Sequence, residues 1–165
     1  MSWPRWTDEG PGSEARPFGK LPWVDAQRIG IFGWSFGGYL SSLAITKGAD
    51  VFKAAVAVAP VINWRFYDSI YTERFLGLPS ENPEGYDDNS PENHATKLVG
   101  NYLLIHGTAD DNVHYQNAAV MAKRLVDLNK DFEFITYTDK NHGISGGKTR
   151  LQLFTKITGF LQKNL

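Results

Sequence analysis

Ser35 lies in Gly33-Trp34-Ser35-Phe36-Gly37, followed by Gly38. G-x-S-x-G between a strand and a helix makes a sharp turn that strains the serine backbone and exposes its hydroxyl. Small residues two before and two after the serine let strand and helix approach. The helix N-terminus aims N–H groups at the place where an oxyanion develops. A serine hydroxyl also needs a base, and the base needs a group that orients it. Downstream stand Gly107-Thr108-Ala109-Asp110-Asp111-Asn112-Val113 and Thr138-Asp139-Lys140-Asn141-His142-Gly143. Serine, then acid, then histidine is the order that a serine nucleophile on a parallel sheet requires. In this reading His142 takes the Ser35 proton and returns it to the leaving group, while Asp110 fixes the imidazole tautomer.

Other residues compete for these roles. Asp111 adjoins Asp110 and is an alternative acid. His94, in a polar stretch, reads as solvent-exposed; His106, ending a strand, as a structural histidine. His114 precedes a helix and reads as a cap or surface residue, and Asp139 as a turn residue. The bland reading of the pentapeptide is an incidental serine in a glycine-rich turn, but an acid and a histidine at two further strand ends argue against coincidence. There is no cysteine and no His-x-x-x-His pair, so no metal site and no cofactor are expected.

These residues need elements to hold them. Arg28–Gly33, Lys53–Ala59, Asn101–His106 and Phe132–Thr138 read as strands. Phe36–Lys47, Trp64–Leu76, Tyr115–Asn129 and Thr149–Leu161 read as helices. Ala118, Met121, Leu125 and Leu128 form the inner face of the third helix, and Leu151, Phe154, Ile157 and Phe160 that of the last. Leu78–His94, with three prolines, reads as a long loop. Strands alternating with helices predict an α/β fold, mainly a parallel sheet with helices on its faces. Ligands of such sheets bind at the carboxyl ends of the strands, where Ser35, Asp110 and His142 fall. Residues 1–22 read as an irregular lead-in and 23–165 as the domain. Trp3, Trp6 and Phe18 are the lead-in aromatics expected to dock on the body.

Composition excludes several classes. With 165 residues, 42% apolar, one domain with a real core is expected. A net charge of −1 gives no general basic surface for nucleic acid. The longest apolar stretch, Ala54–Ile62, falls far short of the ~20 residues of a membrane span. The N-terminus has no apolar signal-peptide region, and the compartment stays open.

GWSFGGYLSSLA, VFKAAVAVAPVINWRFYDSIYTERFLGLP, YLLIHGTADDNVHYQNA and YTDKNHGISG resemble the catalytic region of the prolyl oligopeptidase family of serine peptidases, in its dipeptidyl-peptidase branch. The resemblance runs from about Val24 to Leu165. It implies an α/β-hydrolase fold, the triad Ser35, Asp110 and His142, and the Phe36 N–H as an oxyanion donor. It also implies an apolar pocket for proline walled by Phe36, Val61, Trp64, Tyr67, Tyr71, Asn112 and Val113. The spacing of Trp64, Tyr67 and Tyr71 alone allows either core packing or pocket lining; the resemblance favours the pocket. The family's N-terminal propeller, the early strands of its sheet and the tyrosine that supplies a second oxyanion donor have no counterpart here, so a truncated α/β-hydrolase is expected. Loss of one such donor costs about 10²–10³ in rate. The expected function is a serine hydrolase acting through an acyl-enzyme on a small ester or a peptide bond after proline. The alternative is an inactive remnant or partner-dependent binding domain, and a small-molecule binding module is the weaker third reading. In the resembled fold Arg28–Gly33 becomes an edge strand, from which a homo-oligomer is expected.

Overall fold

Alanine and valine alternate in the most deeply buried strand, and that alternation divides the core in two. A computed structural model describes residues 15–165. Its strands are β1 (Gly30–Trp34), β2 (Ala54–Val58), β3 (Asn101–Gly107) and β4 (Glu133–Tyr137). They form one parallel sheet in the order β1-β2-β3-β4. Every residue of β2 is buried. Ala55 and Ala57 join Leu104 and Tyr102 on one face, beneath α1 (Phe36–Lys47) and α4 (Gln116–Asp127). Ala54, Val56 and Val58 join Leu103 and Ile105 on the other, beneath α5 (Thr149–Asn164). This is the α/β architecture expected, with successive side chains facing opposite layers.

The first helix is buried almost all round, which its serines and threonine make tolerable. The hydroxyls of Ser41, Ser42 and Thr46 donate to the carbonyls of Gly37, Gly38 and Ser42 four residues back, at 3.0, 2.9 and 2.8 Å. Ser42 Oγ also lies 2.8 Å from the Tyr102 hydroxyl under the sheet. Left unpaired, each buried hydroxyl would cost roughly 1–3 kcal/mol.

Three expectations need correction. The stretch Trp64–Leu76 is not one helix. A 3-10 turn at Trp64–Phe66 ends before Asp68, whose side chain accepts the Tyr71 amide at 2.8 Å and starts α2 (Ser69–Leu76) afresh. The stretch Leu78–His94 is not a loop throughout. It holds α3 (Pro83–Asp88), capped by Asn82, and the start of a 3-10 turn at Pro91–Lys97. Both prolines occupy first-turn positions, where the missing N–H is no loss. On α5 the buried residues are Leu153, Ile157 and Phe160, while Leu151 is 71% and Phe154 43% exposed. Steps of three fall short of a 3.6-residue turn, so nine residues at about 100° each put Leu151 and Phe160 on opposite sides.

β1 lies at one end of the sheet, as expected, with Phe32 exposed. Phe18 is 63% exposed and does not dock; Trp3 and Trp6 lie outside the described residues. No helix among those residues is long and apolar enough to cross a membrane.

Candidate active site

The turn from β1 into α1 holds Ser35 at φ 59°, ψ −118°, outside the regions open to most side chains. Two backbone bonds fix it: the Ser35 amide donates to Val58 O at 2.8 Å, and the Tyr39 amide donates to Ser35 O at 2.9 Å. Gly33 is required by contact, because a Cβ there would lie 2.0 Å from Gly37 O. The second small-residue requirement falls on Gly38, where a Cβ would stand 2.7 Å from Val58 O; a Cβ on Gly37 would meet nothing within 4 Å. Phe36 opens α1, so its amide belongs to the positive end of the helix dipole.

The acid is buried at the end of β3. Asp110 Oδ1 accepts the Asn112 amide at 3.0 Å and the Val113 amide at 2.9 Å. Oδ2 lies 2.8 Å from His142 Nδ1 and 3.3 Å from His106 Nε2. Burial works against ionisation, but hydrogen bonds from His106, His142 and the Asn112 amide outweigh it and hold the carboxyl well below the usual carboxylate range. Asp111 is exposed, so the buried neighbour is the one that meets the histidine.

The loop carrying His142 is bound to the loop carrying Asp110. Thr108 N–H donates to Tyr137 O and Ala109 N–H to Lys140 O, each at 3.0 Å. The Asp139 amide donates to Thr108 Oγ1 at 3.0 Å. A Cβ on Gly107 would come within 2.2 Å of Lys140 O, so the two loops touch backbone to backbone. The elbow joins them through Trp34, whose indole N–H donates to His142 O at 3.0 Å. The Arg150 guanidinium covers the same indole, 4.9 Å from its ring centre. Histidine and aspartate are thus hydrogen-bonded, and the serine's neighbour is tied to the histidine backbone. No bond from Ser35 Oγ to His142 Nε2 is formed among the described residues. Such contacts are often long before substrate binds.

His94 is half-buried rather than exposed, its Nε2 2.9 Å from Asp88 O. His114 is exposed and its carbonyl accepts the Asn117 amide entering α4. No group of three or more histidine, aspartate or glutamate side chains is placed to hold a metal among the described residues.

The aromatic residues form a continuous cluster beside Ser35. Trp64 stacks on Tyr71 at 6.2 Å and 18°, stands edge-on to Tyr67 at 6.1 Å, and lies 6.3 Å from Phe36. Val61, Trp64 and Val113 are buried, whereas Phe36, Tyr67 and Tyr71 keep exposed area. The cluster therefore has a covered floor and an open rim. Tyr67 Oη donates to Asn112 Oδ1 at 3.0 Å, linking the rim to the loop of Asp110. Two contributors escaped the sequence reading. Tyr39 packs edge-on to Trp64 at 5.0 Å. Asn117 Oδ1 accepts the Ile62 and Asn63 amides at 2.9 and 3.2 Å, fixing the segment that leads to Trp64. Its signal was a polar residue in line with Met121 and Leu125 on an apolar helix face.

A parallel sheet with a strained serine at a strand-to-helix turn, and a paired aspartate and histidine at later strand ends, defines an α/β-hydrolase. Comparison with known proteins narrows the class. The model of the prolyl oligopeptidase family matches residues 14–165, and the chain belongs to that family. It is 49% identical over 151 residues to mouse (Mus musculus) prolyl endopeptidase FAP, covering 90% of this chain and 20% of that protein. It is 45% identical to cat (Felis catus) dipeptidyl peptidase 4 over 152 residues, with the same two shares. The crystal structure of Porphyromonas gingivalis dipeptidyl peptidase 4 superposes with a TM-score of 0.90 at 51% identity, covering 92% of this chain and 22% of that one. The chain thus spans about one fifth of the length of these relatives.

Proposed function

We propose that this chain carries the acyl-transfer machinery of a serine hydrolase. Ser35 is the nucleophile, His142 the general base and then acid, and Asp110 the group that orients His142. The observation that carries the reading is the 2.8 Å bond between His142 Nδ1 and buried Asp110. That bond places the His142 proton on Nδ1 and leaves Nε2 to accept the Ser35 proton. Attack by Ser35 Oγ on an acyl carbon expels an alcohol or amine, to which His142 gives the proton. Water, deprotonated by His142, then releases the acid. The Phe36 amide stabilises the oxyanion of both steps.

The substrate side is a peptide bond after proline or a short acyl ester. Relatives named prolyl endopeptidase and dipeptidyl peptidase support the former. A flat, partly open aromatic box of Phe36, Trp64, Tyr67 and Tyr71 suits a pyrrolidine ring, which has no N–H to satisfy. Activated esters demand less of the oxyanion site than amides, so esterase activity is the broader expectation. A fluorophosphonate probe tests the reading: it labels the chain and fails on Ser35→Ala. Rates on p-nitrophenyl acetate and Gly-Pro-p-nitroanilide then rank the substrates. Absence of labelling on folded protein favours a partner-dependent binding domain, which the one-fifth span of the relatives makes the second reading.

A further inference from the structure

The next-to-last residue of β3 is a histidine that the reaction above does not use. His106 is wholly buried, and its Nε2 lies 2.8 Å from Val113 O and 3.3 Å from Asp110 Oδ2. A carbonyl and an ionised carboxylate are both acceptors, so Nε2 must carry the ring proton. Nδ1 meets no hydrogen-bond partner among the described residues, and the Tyr115 ring stands perpendicular to the imidazole at 5.9 Å. A second proton at Nδ1 would be a buried charge without an acceptor. His106 is therefore a neutral Nε2–H imidazole, and its donor is aimed at the same oxygen that receives His142 Nδ1–H.

Asp110 is thus held on all sides. Two backbone amides fix Oδ1, and two imidazoles share Oδ2. An apolar side chain at position 106 would leave one lone pair of Oδ2 facing a dry interior, and a lysine or arginine would add a full charge there. We infer that His106 is a positioning residue: its Nε2–H fixes the rotation of the Asp110 carboxylate and withdraws charge from the oxygen shared with His142. Less charge on Oδ2 means weaker stabilisation of the His142 imidazolium.

This inference deepens the serine-hydrolase reading and rests on it for its catalytic meaning, but its test does not require turnover. The titratable groups against His106 are Asp110 beyond its own strand and Tyr115 leading into α4; its register partner on β4, Thr136, does not titrate. Around the His142 loop the charges are Asp139 and Lys140 on the loop and Arg150 of α5 over Trp34. None of these changes when His106 is replaced, so a shift in His142 reports on Asp110.

The experiment is nitrogen NMR of the ¹⁵N-histidine-labelled chain from pH 4 to 9. In the unaltered chain the neutral His106 ring is expected to show a protonated Nε2 and a bare Nδ1. In His106→Gln, whose amide N–H stands near the place of Nε2, the His142 midpoint stays within ~0.3 pH unit of the original. In His106→Leu, which has no donor, it rises by about one unit, roughly a tenfold gain in proton affinity. A His106 that carries its proton on Nδ1 overturns the inference, as does a folded His106→Leu whose His142 midpoint is unmoved. His106→Met, unbranched and also without a donor, takes the place of the leucine variant if that chain does not fold. Fluorophosphonate labelling of the unaltered chain is read separately: its failure counts against Ser35 as nucleophile and leaves the His142 titration to decide the role of His106.

Discussion

The two aspartates after β3 carry the same charge and differ only in where their carboxylates lie. Asp110 is buried under four donors, and Asp111 is exposed. Asp110→Asn is therefore expected to cut turnover by about 10⁴, because the amide no longer dictates the His142 tautomer. Asp111→Asn should leave turnover near the starting value and stability within about 0.5 kcal/mol. Kinetics on one ester substrate ranks the pair, and the reverse order would move the acid to Asp111. Since folding depresses the Asp110 pKa, its charge contributes stability above the unfolded pKa, and that contribution is lost as pH falls through the folded value. The difference in Tm between the original chain and Asp110→Asn should accordingly stay level from pH 7 to about pH 5 and shrink only as the pH falls further, through the ordinary aspartate range and below. Ser35 stores strain of about 1–3 kcal/mol at its positive φ. Ser35→Gly should raise the Tm while abolishing labelling by a fluorophosphonate, and a lowered Tm would show that the serine is not strained there.

At the scale of elements, the elbow depends on how closely α1 follows β1. Gly33 and Gly37 are equivalent in the sequence pattern but not in space. Gly33→Ala must displace the Gly37 carbonyl, so α1 shifts and both labelling and stability fall, the latter by roughly 1–3 kcal/mol or more. Gly37→Ala projects into open space on a helix and should hold or gain about 0.5–1 kcal/mol. Urea unfolding of the two variants checks the contrast; equal losses would mean that the pattern, not the contact, governs. Strand and helix positions were legible because apolar runs and periodic faces are local. The break at Asp68 was less so, because a capping carboxylate and a mid-helix aspartate look alike until the chain has turned.

At the scale of the whole molecule, β1 ends the sheet with Phe32 exposed, and α5 turns Leu151 and Phe154 outward. A strand paired on one side only among the described residues invites a second strand, and exposed apolar area favours association. The chain is expected to self-associate at micromolar concentration, most simply as a two-fold dimer. Light scattering coupled to size exclusion measures this. An 18.5 kDa monomer that binds no hydrophobic dye would show that the edge and the helix face are tolerated in water.

The order serine, acid, histidine was written in the chain, and so were the strand ends that carry them, since both follow from covalent spacing and local periodicity. The aromatic residues beside Ser35 were legible as a group, but their division into floor and rim was not, because it depends on which ring faces the packed interior. The tertiary structure alone set Asp110, rather than its neighbour, against His142 and placed His106 on the same carboxylate. It also faced Leu153, rather than Leu151, to the sheet. Each of these choices turns on a rotation of one residue about the chain, and only the packing of distant segments settles which side becomes the inside.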